Sequence, residues 1–146
     1  MLYPVILAPD ENGTVIAEVP DVPGVMTVGS DEREALVMAR DALLTMIACL
    51  MAEKKPVPNP SKTSGRDPYV ELPPLAVAKV AIHNAMVEQG VSQVALAARL
   101  HSDPKSIRRL LNLDHVSRWD HLEMALEALG YAIHAKVDRR PAQSAF

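Results

Sequence analysis

Residues 91–111 read VSQVALAARLHSDPKSIRRLL, and this stretch decides the fold of the second half of the chain. Ser92 and Asp103 are residue types that favour the N-cap of a helix, and each precedes a short segment with apolar residues at helical spacing. Pro104 stands at a first helical position, where its missing N–H costs no hydrogen bond. The stretch therefore predicts two short helices joined by a tight turn.

The predicted turn contains His101 at a position that glycine often occupies in such helix pairs. A turn of this kind places one residue in the left-handed region, which His tolerates better than most residues other than glycine. We therefore expect a positive φ at His101 and an intact helix pair.

The second helix of this pair is predicted to be polar and basic on its outer side. Ile107, Leu110 and Leu111 recur at the spacing of a core-facing stripe. Docking in the major groove of DNA requires a slim helix with early polar side chains and nearby Arg or Lys. We expect Lys105 and Ser106 to read bases. The full set of candidate DNA-binding residues is Gln93, Ser102, Lys105, Ser106, Arg108, Arg109 and Asn112. The alternative is a plain helical hairpin in a four-helix bundle.

Further helices are predicted on both sides of this pair. Apolar residues at helical spacing occupy 75–86, with Gly90 as a C-cap, and Ser117 is expected to cap a last helix whose apolar face includes Trp119. Residues 131–137 then alternate in polarity, which predicts a terminal strand able to pair with a second copy across a two-fold axis.

The first half predicts strands and one long helix. Residues 2–8 and 14–19 form a hairpin around an Asn-Gly turn, 25–28 form a third strand, and 69–73 form a fourth. A long helix after Ser30 or Asp31 separates the last two strands and should cover the sheet. The predicted fold class is α+β, with a β-β-β-α-β domain followed by an all-α domain and a short terminal strand. The expected domains are 1–73 and 74–137, followed by a flexible tail at 138–146.

Charge divides unevenly along the chain, whose net charge is −3. Residues 1–74 carry 6 basic and 11 acidic side chains, whereas the remaining residues carry 9 and 7. An acidic first half suits a basic protein partner, and a mildly basic second half permits nucleic-acid binding. Glu18, Asp21 and Glu34 are the charge-based candidates for contact with that protein.

The compartment is predicted from cysteine use and from the start of the sequence. The single cysteine, Cys49, allows no internal disulfide and is expected to be a structural thiol among apolar neighbours. The first residues lack the basic region of a signal peptide, and we find no apolar run of membrane-spanning length. We therefore expect a cytoplasmic protein without a membrane partner.

Enzymatic chemistry finds little support in the sequence. The carboxylates that could serve two-metal hydrolysis are Asp10, Glu18, Asp41 and Glu71, and their predicted positions do not establish that they converge. The five histidines lack the paired spacing of a zinc site, and neither a phosphate-binding loop nor a nucleophile elbow is present. We expect no catalytic residues, no metal and no cofactor.

Landmarks along nearly the whole chain resemble those of HicB-type antitoxins from bacterial HicA–HicB toxin–antitoxin pairs. No landmark is specific alone, but their order is. The landmarks are YPV at 3–5, VPDVPG at 19–24, TVG at 27–29, EAL at 34–36, AL at 42–43, VPNPS at 57–61, VELP at 70–73 and RLLNLDH at 109–115. One departure is Val25, which stands where the family often has cysteine after Pro-Gly.

The resemblance implies a partial ribonuclease-H-like N-terminal domain that binds and masks a small basic RNase toxin. It also implies repression of the antitoxin's own operon, as a homodimer or higher homo-oligomer, through the C-terminal helix-turn-helix domain. We expect a palindromic operator, because two copies would place their helices in successive major grooves. Two alternatives remain open at this point: a one-component repressor whose first half senses a small ligand, and a ribonuclease-H-like nuclease.

Overall fold

The computed structural model describes residues 1–64 and 66–140, which form a mixed α+β fold with small antiparallel sheets. The strands are β1 (Leu2–Pro4), β2 (Ile6–Pro9), β3 (Val15–Glu18), β4 (Met26–Gly29) and β5 (Tyr69–Glu71). The helices are α1 (Glu32–Ala52), α2 (Pro74–Gln89), α3 (Gln93–Arg99), α4 (Pro104–Leu111) and α5 (Trp119–Ala128). The predicted α+β class is confirmed.

The predicted first strand is divided into β1 and β2, which belong to different pairings. β2, β3 and β4 form an antiparallel sheet in that order, whereas β1 pairs with β5, also antiparallel. Val5 lies between β1 and β2, and its N–H donates to the carbonyl oxygen of Pro68 at 2.9 Å. The chain therefore changes pairing partner within a few residues.

Helix α1 covers one face of the sheet. Its N-cap is Asp31, whose carboxylate accepts a hydrogen bond from the Glu34 N–H at 2.8 Å. Its buried stripe recurs at helical spacing, so that it forms one layer of the first core. The buried residues are Ala35, Ala39, Leu43 and Ile47. Cys49 is exposed, so the prediction that it is a structural thiol was wrong; it lies off this stripe.

Two hydrophobic cores are present, and α2 contributes to both. Ala76 and Val80 belong to the first core with the sheet and α1, whereas Ala78 and Ile82 belong to the second core with α3, α4 and α5. Positions 76 and 80 lie on one side of the helix because residues four apart stack along it. Helix α2 is therefore buried from two sides, and the boundary at Pro73–Pro74 remains a prediction.

The chain after α5 contains no strand within its described part, so the terminal strand predicted at 131–137 was wrong for the single chain. A strand requires a hydrogen-bonded neighbour, and the described strands pair only with one another. Tyr131 instead donates its N–H to the carbonyl oxygen of Leu126 at 2.9 Å, at the end of α5. Residues 138–140 are exposed, and 141–146 of the predicted tail lie outside the described residues.

The start of α5 also differs from the prediction. The N-cap position is Arg118, with no side-chain cap, and Ser117 is buried and accepts a hydrogen bond from Lys79 instead. Trp119 is 47% exposed and does not belong to the buried face. A buried ammonium therefore uses the hydroxyl that the sequence assigned to the cap.

Candidate nucleic-acid interface and partner surface

Helices α3 and α4 form a capped pair, as the sequence predicted. The Ser92 hydroxyl accepts a hydrogen bond from the Ala95 N–H at 3.0 Å, and the Asp103 carboxylate accepts one from the Ser106 N–H at 2.8 Å. The latter bond holds the pKa of Asp103 below its usual value. His101 has a φ of 52°, which confirms the predicted left-handed turn.

The inner sides of these two helices hold them in the second core. Leu96 and Ala97 of α3 are buried, as are Ile107 and Leu110 of α4, and Leu111 is half-buried. This packing fixes which side of α4 faces outward. It confirms the predicted register of α4.

The candidate DNA-binding residues lie on or beside the outer side of this pair. Ser102, Lys105, Ser106, Arg108, Arg109 and Asn112 are exposed, and Gln93 is half-buried at the start of α3. Among the described residues, ion pairs with a nitrogen–oxygen distance within 4.0 Å join Lys55 to Glu53, Arg118 to Asp120 and Lys136 to Asp138. In the part of the chain that the structure describes, the three α4 cations therefore have no carboxylate partner at that distance.

Two of these seven side chains already have partners within the protein. The Ser106 hydroxyl donates to Asp103 Oδ2 at 3.2 Å. Asn112 Oδ1 accepts from the Asp114 N–H at 2.9 Å. Both side chains are therefore partly occupied by local hydrogen bonds, whereas Lys105, Arg108 and Arg109 keep their charges exposed.

A cleft of about 460 Å³ beside α4, the histidine cleft, brings His115, Arg118 and His121, which were not among the candidates from the sequence, beside Arg109. Its polar lining includes His101, Ser106, Arg109, His115, Arg118 and His121. The three histidines come from separate segments, and their spacing in the sequence carries no signal of this proximity. The cleft continues from α4 to the start of α5, where Arg118 is paired with Asp120 at 2.7 Å.

A second cleft, the junction cleft, has a volume of about 540 Å³ and lies between the end of α1 and the helices α2–α4. Its lining includes Met51, Lys54, His83, Met86, Gln93 and Arg108. Three candidate DNA-binding residues, Gln93, Arg108 and Asn112, thus share a cavity with the end of the helix that covers the sheet. Its volume falls in the ordinary range of small-molecule sites.

The sheet face opposite α1 is largely apolar, and the described residues leave it exposed. Ile6 is 55% exposed, Met26 is 59% exposed, and Glu18 lies between them across the three strands. Val28 is 46% exposed on the same sheet. We call Ile6, Glu18, Met26 and Val28 the outer sheet face. Contiguous exposed apolar surface of this kind is typical of protein interaction sites.

The other two acidic candidates for protein contact have intramolecular roles. Asp21 accepts hydrogen bonds from the Ser61 N–H and hydroxyl, both at 2.6 Å. Glu34 accepts from the Ser30 hydroxyl and from its N–H, and these bonds lower the pKa of Glu34. Of the three candidates, only Glu18 lies on the outer sheet face.

The carboxylates considered for nuclease chemistry are distributed over different elements. Asp10 lies in the β2–β3 turn, where it accepts from the Glu11 N–H at 2.8 Å and from the Thr14 hydroxyl at 3.3 Å. Asp41 is on α1, and Glu71 is on β5. No group of three potential metal ligands occurs within residues 1–64 and 66–140.

Helix α1 is long and apolar enough to cross a membrane by length and composition, contrary to our reading of the sequence. Core helices of soluble proteins can have the same length and apolar composition. Here Ala35, Ala39, Leu43 and Ile47 of α1 are buried in the first core, and the helix covers the sheet.

Comparison with known proteins identifies relatives over most of the chain. A family model described as the HicB-like antitoxin of bacterial toxin–antitoxin systems matches residues 2–81. The chain is 34% identical to antitoxin HicB of Escherichia coli K12 over 130 residues, covering 89% of this chain and 94% of that one. It is 38% identical to antitoxin HicB 2 of Photorhabdus laumondii, covering 89% and 91%.

A third relative, antitoxin HicB of Pseudomonas fluorescens Pf0-1, is 31% identical over 130 residues, covering 88% of this chain and 89% of that one. All three relatives are named as antitoxins, which is not an enzymatic role, and this agrees with the prediction from the sequence. Both the family model and these relatives show that the chain belongs to the HicB-like antitoxins of bacterial toxin–antitoxin systems.

Proposed function

We propose that this antitoxin binds and neutralises a small HicA-like RNase toxin through its first half, and represses its own operon through its second half. The observation that carries the second role is the capped α3–α4 pair, whose Lys105, Arg108 and Arg109 are exposed and without a carboxylate partner among the described residues. The first role rests on membership of the antitoxin family and on the outer sheet face. We expect both activities in the cytoplasm.

For DNA, α3 and α4 act as a helix-turn-helix with α4 in the major groove. Lys105 and Ser106 lie in the first turn of α4, where side chains of a recognition helix reach base edges. Arg108 and Arg109 hold phosphates, together with Gln93 at the start of α3. A homodimer would place two such helices about 34 Å apart on a palindromic operator.

For the toxin, the outer sheet face supplies the contact within a partial ribonuclease-H-like domain. Burying Ile6, Met26 and Val28 against a partner removes apolar surface from water, which stabilises a complex by roughly 25 cal/mol per Å² before the costs of association. Glu18 adds a negative charge at the centre of this surface, which suits a basic toxin.

The test is co-purification of the tagged antitoxin with the product of its adjacent gene, followed by an assay of that product's RNase activity. We expect a tight complex with suppressed activity. Glu18→Lys should weaken the complex, whereas Glu11→Lys, the same charge change in the exposed β2–β3 turn, should not. If neither Glu18→Lys nor Met26→Asp lowers the affinity for the toxin, the outer sheet face is not the contact surface.

The junction cleft favours one alternative, a repressor that senses a small ligand. Gln93 and Arg108 line this cavity, so an occupant could alter DNA contact directly. The same co-purification separates the two functions. If no protein partner is captured while the chain still binds its own promoter, the ligand-sensing repressor replaces the antitoxin mechanism proposed here.

A further inference from the structure

One lysine of the second half is buried. Lys79 lies in the middle of α2 and is only 1% exposed. Lysine is among the residues least often found fully buried, because its charge loses the hydration of water. Burial lowers the pKa of Lys79 below its usual value. An ammonium in this position requires partners.

Lys79 has three hydrogen-bond acceptors, one for each N–H of its ammonium group. Its Nζ lies 2.6 Å from the carbonyl oxygen of Asn112, 2.7 Å from that of His115 and 2.9 Å from the Ser117 hydroxyl oxygen. All three acceptors lie in residues 112–117, within the segment that connects α4 to α5. One ammonium therefore holds this segment at its beginning, middle and end.

The held segment adjoins the basic surface at the end of α4 and at Arg118. Asn112 is the C-cap residue of α4, so its carbonyl lies at the negative end of that helix, where a cation is favourable. Arg118 directly follows the last anchor and lines the histidine cleft with Arg109. Leu113, within the segment, packs against the first core.

We propose that Lys79 is a positioning residue for DNA binding: it fixes residues 112–117, and thereby the end of α4 and the position of Arg118, without touching DNA itself. This inference rests on the proposed DNA-binding function. The position of Lys79 in the sequence carries no signal of this role, because its acceptors are 33 to 38 positions away.

The test compares full-length wild type with Lys79→Met, which keeps much of the apolar stem and leaves the three oxygens without their donor. We expect hydrogen exchange to accelerate in residues 112–117, and operator affinity to fall about tenfold or more, as unsatisfied buried groups cost. Affinity for the toxin should stay within about twofold, because the outer sheet face lies in the first half. Lys62→Met, an exposed charge-matched control, should leave operator affinity unchanged.

Two results overturn the inference alone: operator binding by folded Lys79→Met at wild-type affinity, or a parallel loss of toxin and operator affinity, which would mark Lys79 as a general determinant of the fold. If Lys79→Met does not fold, Ser117→Ala decides, since it removes one of the three acceptors. Unchanged exchange and operator affinity in that variant overturn the inference. If the wild type itself binds no DNA, the proposed function fails and the positioning role fails with it.

Discussion

The side chain of Asn84 on α2 forms hydrogen bonds with both backbone polar groups of Val57. Its Oδ1 accepts from the Val57 N–H at 2.8 Å, and its Nδ2 donates to the Val57 carbonyl oxygen at 3.0 Å. Val57 is buried in the first core. The neighbouring His83 Nε2 lies 2.6 Å from the carbonyl oxygen of Lys55. The segment after α1 is thus joined to α2 by side-chain-to-backbone hydrogen bonds.

Asn84→Ala should lower the free energy of unfolding by about 1–3 kcal/mol, because it leaves both Val57 groups without a protein partner. Urea denaturation of the full-length protein measures this. Glu123→Ala, at an exposed position of α5, is the control and should change stability by less than about 0.5 kcal/mol. Equal effects of the two substitutions would contradict the importance of this contact.

Gly29→Ala should be one of the most destabilising small substitutions in the chain. An added Cβ would lie 2.2 Å from the Ala35 backbone nitrogen and 2.6 Å from its Cα, and a helix backbone cannot yield by that amount. We expect a loss of about 3 kcal/mol or more. Gly13→Ala, where φ is +77° but no atom lies within 4 Å, should cost about 1 kcal/mol. Similar midpoints in urea for the two variants would refute the steric argument.

Because Tyr3 is buried, we expect the free energy of unfolding to fall in alkaline solution. Its hydroxyl donates to the Pro58 carbonyl oxygen at 2.7 Å, and burial, followed by the charge of Asp21, raises the pKa of Tyr3 from 10.0 to about 12. The unfolded state therefore releases the phenol proton first, and the free energy of unfolding should fall as the pH rises from about 10 to 12.

Tyr3→Phe isolates this contribution. At neutral pH the variant should be less stable by about 1 kcal/mol, because it lacks the hydrogen bond. Above pH 10 the difference between the two proteins should shrink, since only the wild type contains this phenol. A difference that stays constant up to pH 12 would exclude Tyr3 as the cause.

Asp103 should make the free energy of unfolding fall in acidic solution, as the pH decreases. Its pKa is lowered, first by the hydrogen bond from the Ser106 N–H, so its contribution is complete above the ordinary aspartate pKa and is lost as the pH falls through the lowered value. Asp103→Asn should preserve the cap without this pH dependence, and Asp103→Ala should be less stable at every pH. Unfolding measured between pH 2 and 6 distinguishes the three proteins. Identical acid profiles for wild type and Asp103→Asn would contradict the assignment.

Arg109→Ala should weaken binding to operator and to unrelated DNA alike. Removing one phosphate contact should also reduce the slope of log affinity against log salt by about 1. Fluorescence anisotropy at several salt concentrations measures both quantities. Arg33→Ala, an exposed arginine at the start of α1, should change neither; an effect of equal size at Arg33 would point to net charge rather than to contact.

The sequence allowed accurate prediction where a structure depends on neighbours along the chain. The caps at Ser92 and Asp103, the left-handed His101 and the long helix after Asp31 all follow from interactions within four residues. These local preferences are strong, so they survive folding with little modification.

The errors concern contacts between distant segments. Ser117 has the composition of a cap, but its hydroxyl belongs to Lys79, 38 positions earlier. Trp119 and Cys49 lie on apolar stretches yet remain exposed, because periodicity alone cannot tell which side of a helix meets a partner. The uncovered state of Ile6 and Met26 likewise depends on what the rest of the chain leaves open.

The double burial of α2 limits how this protein can be recombined. Ala76 and Val80 complete the core of the sheet, while Ala78 and Ile82 complete that of the helices. A chimera that joins residues 1–73 to the helices of another protein would expose the apolar positions that α2 covers. Exchange of the two halves between relatives therefore requires α2 to match both cores.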